Sequence, residues 1–530
     1  MIVFSAAASR AAGIPQRFRD AGRQDLPIVV LLVLLCLGQV MLWGFGFGLN
    51  YSAPEIDSAE QFVWAYSLES GYWKHPPMPT WILHALIQLF GTSVVLPFIA
   101  TQVCVVVALA LVWRLGCEFV GPVRALIAVA LTSLVTYHNI SADCFNHSTV
   151  LLPFQAATLL FFFRATRRPA PHLWILTGLF AGFSMLVKYV ALVPICGLLL
   201  YFAIDRSLHT RRHAIGLLTA AGVFCLVLTP HALWLGSTDF LPFRYARSVA
   251  QSLPGLGATL RSLGDFVLMQ LVRLLPFLMA LGIVLWRRRG EPREFAAPAV
   301  APRDRLFLWI AAAAPLVGTV LIGLLGETEL QSRWGSNAFL LVGLVPMMWV
   351  RRRDPTPLLR RAIPVVVAFH VVLCIGLTLG KTVVADRIGI RTRANFPGAE
   401  LARKAQETWQ AHVDAPLRIV VSDIWLGGNV IANTQQHVAV LIDGRHFKSP
   451  WVNEAAVIDC GVLILDDLTP DRAGHAVPNP AIERLMVHAQ ATGTWKLPWA
   501  RPQLHEGADD RGLVRWGIVL PKSTAGCKLH

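Results

Sequence analysis

LPIVVLLVLLCLGQVMLWGFGFGL, residues 26–49, carries no charged residue and is long enough to cross a bilayer, which takes about 20 apolar residues. It is too long for the apolar core of a signal peptide, and no clear cleavage site follows, so it reads as a retained anchor. Arg10, Arg17, Arg19 and Arg23 precede it and by the positive-inside rule hold residues 1–26 in the cytoplasm. The same chemistry continues outward along the chain. Of 530 residues, 55% are hydrophobic and 15% charged, with a mean hydropathy of +0.54, against about 25% charged in soluble domains. The expected fold class is therefore a polytopic α-helical membrane protein.

Further apolar runs at 95–116, 123–137, 149–163, 173–187, 190–204, 214–231, 264–286, 306–326, 335–350 and 362–380 bring the expected count to about 11 spans. Basic clusters fall at Arg164, Arg167 and Arg168; at Arg206, Arg211 and Arg212; at Arg287–Arg289 with Arg293, Arg303 and Arg305; and at Arg351–Arg353 with Arg360 and Arg361. All land on the cytoplasmic side if the spans alternate, with the N-terminus inside and the C-terminus outside. The run 78–92 is short for a crossing and is read as a re-entrant or juxtamembrane helix beside an outside loop, 50–92. The membrane part thus covers 27–380. From 381 to 530 the composition turns mixed and polar. Its runs Leu417–Val421, Val438–Ile442 and Val457–Leu465 alternate with helical stretches such as Ala399–His412, which predicts a small α/β domain outside the membrane.

The net charge of +15 does not indicate nucleic acid, because the arginines sit between apolar spans. Nine cysteines show no CxxC spacing; only Cys460 and Cys527 lie in the last polar region, where a disulfide is compatible with the outside face. There is no phosphate loop, HExxH or GxSxG motif. The Gly178-xxx-Gly182 spacing reads as close helix packing.

The candidate chemistry gathers on the outside face. Asp57 follows the first span, and Gly71-Tyr72-Trp73-Lys74-His75-Pro76-Pro77 follows it on the same loop. An acid and a cationic turn at a membrane surface suit a reaction on a membrane-bound anionic substrate. Glu60; Asp143, Asn146 and His147; Lys188-Tyr189; His231 with Asp239 and Arg244; and Arg333-Trp334 fall on the same side. Ionisable groups at membrane depth are costly and are kept for function or pairing, although Lys, Arg, Tyr and Trp also serve as interfacial anchors. Lys188 interrupts two apolar runs. It suits a lipid phosphate as a point charge, or simply ends a helix by snorkelling.

These residues resemble polytopic C-class glycosyltransferases of the protein mannosyltransferase type, a group that includes the lipid A aminoarabinose transferases. The resemblance is carried by Asp57-Ser-Ala-Glu with Gly71–Trp81, by Gly178–Tyr189, and by Pro230–Trp234 with Asp239–Tyr245, and it covers about residues 25–380. The family commonly has Asp-Glu where this chain has Asp57-Ser58, and Lys where it has His75. Asp143 stands near a family acidic position. The resemblance implies a sugar donor on polyprenyl phosphate, its tail held between helices, and a lipid, glycan or protein acceptor entering from the aqueous face. Asp57, with Asp143 as the second catalytic acid, would act as general base in an inverting transfer. Lys74, His75, Lys188 and Arg244 would stabilise the leaving phosphate, with Arg333 and Arg273 as further cations and Tyr189 and His231 beside the substrate. A His at position 75 would make binding pH-dependent. A divalent metal on Asp57 and Asp143 is compatible with this chemistry and not required by it, so no cofactor is expected. The implied location is a bacterial inner membrane with the site facing the periplasm. A transporter or flippase for lipid-linked sugars, or a scaffold, is the alternative; the chain lacks the two related halves that a transporter predicts.

Overall fold

The structure, a computed structural model, describes residues 16–249, 253–286, 300–350, 354–469, 479–499, 511–522 and Cys527. Arg10, Arg287–Arg289, Arg293 and Arg351–Arg353, used above to orient the spans, lie outside the described residues. In chain order, α1 (Gln16–Gln39) runs through a wide turn (Val40–Gly46) into the first loop, which holds α2 (Ile56–Trp64) and α3 (Met78–Phe90). There follow α4 (Leu96–Val120), α5 (Pro122–Thr132), α6 (His147–Arg167), α7 (Pro171–Val187), α8 (Leu192–Ile204), α9 (Arg211–Ser237) and α10 (Leu241–Val249). Then come α11 (Leu256–Leu285), α12 (Pro302–Leu325), the single turn α13 (Leu344–Met347), α14 (Thr356–Leu379) and the turn α15 (Ala385–Arg387).

Seven of the described helices are long and apolar enough to cross a membrane, and four more are apolar but shorter. One expected span fails. Residues 335–350 form turns around α13 rather than one helix. The stretch is apolar because it is buried in the bundle, and Gly343 explains its course: a Cβ there would stand 2.1 Å from the Ala128 carbonyl oxygen of α5. The breaks between short helices have local causes. Gly121 at φ +80° turns the chain from α4 into α5, with Pro122 at the first helical position, where its missing N–H costs nothing. Close packing behind the site uses the small residues read above. Cβ atoms on Gly178 and Gly182 would lie 2.2 Å from Ala220 O and 2.8 Å from Val227, so these glycines let α7 lie against α9.

Polar groups divide between the two ends of α6. Its last turn belongs to an ion-pair layer in which Arg164 meets Glu118 at 3.1 Å, Arg167 meets Asp304 and Arg303 meets Asp205. Its first turn faces the candidate site. After α14 and α15 the chain forms α16 (Gly398–Gln410), β1 (Ile419–Ser422), α17 (Ile424–Ala432), β2 (Ala439–Ile442), α18 (Glu454–Cys460), β3 (Val462–Asp467), α19 (Pro480–Met486), β4 (Ala491–Pro498) and β5 (Arg511–Val519). The sheet order is β2-β1-β3-β5-β4. The first three strands are parallel and almost wholly buried, as expected when helices cover both faces. β5 and β4 close the edge antiparallel. The run Val457–Leu465 is not one strand: α18 ends at Cys460, Gly461 turns at φ +67°, and β3 begins at Val462. Cys460 and Cys527 form a disulfide.

Candidate active site

α2 starts where Glu55 leaves the chain extended (ψ 157°), and Asp57 sits in its first turn, where the helix dipole favours a carboxylate. Asp57 accepts a 3.1 Å hydrogen bond from Asn146 Nδ2. Asn146 Oδ1 in turn accepts from the backbone N–H groups of Ser148 and Thr149, closing a capping box on α6. The amide is thus fixed in orientation by two backbone donors, and it aims its NH2 at Asp57. Glu60, three residues on, shares that face of α2. Asp57 and Glu60 line one cavity of 590 Å³ together with Lys74, His75, Lys188, Tyr189, Arg273 and Arg333.

The cations in this cavity are held in different ways. Lys74 pairs with Glu60 at 2.6 Å and stands 5.9, 5.3 and 5.7 Å from the ring centres of Trp64, Trp73 and Tyr245, an aromatic cage that suits an ammonium. Burial pushes the Glu60 carboxyl up to about 7 against the pull of Lys74; Lys74 is itself drawn down by burial but held above its ordinary range by that carboxylate. Lys188 lies between α7 and α8, where the chain goes extended (φ −159°, ψ 132°). Its ammonium donates to Ser148 Oγ at 2.8 Å, and no carboxylate pairs with it among the described residues. Burial, with Arg333 nearby, pulls it down to about 8, while Asp57 pulls the other way. Arg273 donates to Ser141 Oγ at 2.8 Å, and Arg333 to Gln331 Oε1 at 2.7 Å. Both are charged groups with neutral partners.

His75 packs its ring 4.1 Å from that of His147. Burial, His147 and the surrounding Lys74, Lys188 and Arg333 hold it well below the usual imidazole range, so it is neutral near pH 7. The expected pH-dependent cation at position 75 is therefore replaced by a neutral ring between two lysines. Tyr189 lines the cavity and His231 stands behind it. His231 Nδ1 faces the Ser70 carbonyl at 2.7 Å, and a carbonyl can only accept, so Nδ1 carries the proton and Nε2 accepts from Tyr189 OH at 2.9 Å.

Besides His231, two expected residues fall outside the cavity. Asp143 does not line this cavity: it accepts from Lys381 Nζ at 2.9 Å, and Lys381 also approaches Glu55 (3.8 Å). That carboxylate pairs with a lysine, and among the described residues no three His, Cys, Asp or Glu side chains converge as metal ligands. Arg244 is exposed, pairs with Asp239 at 2.6 Å, and lines a neighbouring cavity, because its position on α10 turns it away from its neighbour Tyr245. The residues that sequence reasoning gave no role are the cage rings and Ser148; Glu60 was read only as an outside-face carboxylate, and the structure sets it against Lys74. The signal for Glu60 was its spacing of three from Asp57 on one helix face.

Residues 74–234 match the family model described as dolichyl-phosphate-mannose-protein mannosyltransferase. Lipopolysaccharide core galacturonosyltransferase RgtA of Rhizobium johnstonii (strain DSM 114642 / LMG 32736 / 3841) is 29% identical over 474 residues, 84% of this chain and 89% of that protein. Lipid A galacturonosyltransferase RgtD of the same organism is 24% identical over 312 residues, 57% of this chain and 62% of that protein. The crystal structure of ArnT from Cupriavidus metallidurans bound to undecaprenyl phosphate is similar in fold, with a TM-score of 0.58 at 14% identity, covering 92% of this chain and 97% of that one. Family model, relatives and fold together support the resemblance read from the sequence: the chain is a multi-pass membrane protein similar to the C-class glycosyltransferases.

Proposed function

We propose that this protein transfers a sugar from a polyprenyl-phosphate donor to a hydroxyl of a lipid-borne saccharide, at the periplasmic face of a bacterial inner membrane. The carrying observation is Lys188, a buried cation whose partner is a neutral hydroxyl, in the same cavity as Asp57. A buried ammonium is costly unless an anion meets it, and a sugar phosphate supplies one. In this reading the acceptor hydroxyl gives its proton to Asp57 as its oxygen attacks the anomeric carbon. The bond from that carbon to the phosphate oxygen breaks, and the polyprenyl phosphate leaves with the electron pair, its new charge met by Lys188 and Lys74. Asn146 keeps the Asp57 carboxylate aimed. Arg273 and Arg333, each charged with a neutral partner, leave capacity for a second anionic group, and the relatives' galacturonosyl chemistry makes a hexuronic acid the first sugar to test. The disulfide of the sheet domain suits an oxidising compartment, and that domain sits on the end of the bundle that holds the cavity.

The test is sugar transfer in reconstituted vesicles from a panel of polyprenyl-phosphate sugars, galacturonate first. Asp57→Asn is expected to lower kcat by roughly 10²- to 10⁴-fold with donor binding retained, and Lys188→Gln to lower it by about 10²-fold or more. Absence of turnover with every donor, or turnover indifferent to Asp57, would remove the catalytic assignment and leave transport or scaffolding.

A further inference from the structure

A second cavity, of 500 Å³, is built from three parts of the chain: the first loop from Glu69 to Trp73, Trp234 and Arg244 of α9 and α10, and Phe447 to Pro450 of the sheet domain. It adjoins the first. Trp73 lines the second cavity and Lys74 the first, while Arg244 lines the second and Tyr245 the first. The rings of Trp73 and Tyr245 meet edge to face at 4.7 Å, so one pair of aromatic rings forms the wall between the two spaces.

The lining is unlike a groove for a lipid tail. Trp234 is laid against the Gly71 backbone so closely that a Cβ there would fall 2.3 Å from its ring, and its other neighbour, His231, stacks on it at 5.6 Å. The ring is therefore fixed before any ligand arrives, which lowers the entropy cost of using it. Phe447 stands edge-on to Trp73 at 6.4 Å. Two cations and one carboxylate complete the lining; the carboxylate, Glu69, accepts from Ser67 Oγ at 2.7 Å. Lys448 lies 4.6 Å from the Trp73 ring centre and 2.5 Å from Asp443. Arg244 is bound to Asp239, but their side chains are 59% and 82% exposed. Such a surface pair contributes little, so the guanidinium can exchange Asp239 for a bidentate carboxylate or phosphate. Flat rings that accept the C–H faces of pyranoses, with cations placed for anionic substituents, describe a site for an acidic saccharide.

We propose that this cavity seats the acceptor, an acidic saccharide held by Trp234, Phe447, Arg244 and Lys448, so that its next sugar reaches past Trp73 and Tyr245 toward Asp57. This assignment rests on the transferase reading above, and it gives the sheet domain a direct part in choosing the acceptor.

The probe is core oligosaccharide released from lipopolysaccharide by mild acid, titrated by calorimetry into the full-length protein in nanodiscs. The Arg244→Gln/Lys448→Gln double variant is expected to weaken its binding at least about tenfold, with binding of polyprenyl phosphate unchanged. Thr238→Trp, which fills the cavity, is expected to do the same without touching either cation. Carboxyl-reduced and dephosphorylated oligosaccharides show which anion is read, since each should weaken binding only if its group is the one recognised. In turnover, acceptor KM should rise while donor KM and kcat stay within about twofold. Oligosaccharide binding that depends on these residues supports the cavity assignment even if no sugar is transferred. Binding and acceptor KM unmoved by both variants overturn it, and leave the transferase reading standing.

Discussion

Lys188 shows how one residue couples burial to chemistry. In the proposed transfer its ammonium, not its amine, would meet the phosphate, and that form prevails below a pKa of about 8. The sign follows directly: donor kcat/KM is expected to be level near pH 7 and to fall as pH rises through about 8, because the free enzyme then loses its cation. In kcat the same arm should move to higher pH, since a bound phosphate holds the proton in place. Lys188→Arg should remove the arm, its guanidinium staying charged throughout. A kcat/KM profile flat to about pH 9 would put Lys188 outside the phosphate site. His75 makes the opposite point. It was readable as a titrating group from its type alone, yet burial, with His147 and two lysines close by, keeps it neutral. Residue type was legible here; environment was not.

At the scale of elements, the helix that carries Asp57 is clasped by the sheet domain. α17 crosses α2 at Gly428, where a Cβ would lie 2.6 Å from both Ala59 Cβ and Ala59 O. Gly428→Ala must therefore push α2, and Asp57 and Glu60 with it. An ångström of misplacement can cost about 10²-fold in rate, so kcat is expected to fall by one to two orders of magnitude, roughly, while donor KM changes little. The control is Gly222→Ala in α9, which meets nothing within 4 Å and should leave kcat unchanged while stabilising its helix slightly. Equal effects of the two substitutions on kcat would show that α17 does not position α2. The element readings succeeded where periodicity was long and failed where burial imitated it. Residues 335–350 are as apolar as a span because they pack inside the bundle. β4, with its alternating burial, and β5 were missed beside the more uniformly apolar parallel strands.

For the whole molecule, the question is what ties the sheet domain to the bundle. Beyond α17, the segment leaving α14 carries Lys381 and Arg393 into contact with the loops that flank the site. Lys381 meets Asp143 (2.9 Å) and Glu55 (3.8 Å), and Arg393 meets Glu55 (3.1 Å). Both carboxylates are only 14% exposed, so removing their lysine leaves charge poorly compensated. Lys381→Met is expected to destabilise the protein by about 2 kcal/mol, less than a fully buried pair because Lys381 is itself partly exposed. Thermal unfolding of the purified protein in detergent checks this, and an unchanged Tm would mean the network is solvated and idle. The same network explains why the sequence could not place Asp143: a carboxylate near the site looks like part of it until its counter-ion, 238 residues away in the chain, is placed.

Sequence alone determined the membrane class, because apolar runs of bilayer length have no other stable home, and it carried the family resemblance in short motifs, Asp57–Glu60 with Gly71–Trp81 and Gly178–Tyr189 among them. Only the tertiary structure decided which of the charged residues share a cavity. Arg244 and Tyr245 are neighbours in the chain yet line different cavities, and Asp143 is turned to a lysine. Direction and partnership depend on helix rotation and on contacts between residues far apart in the chain, and no local pattern encodes either.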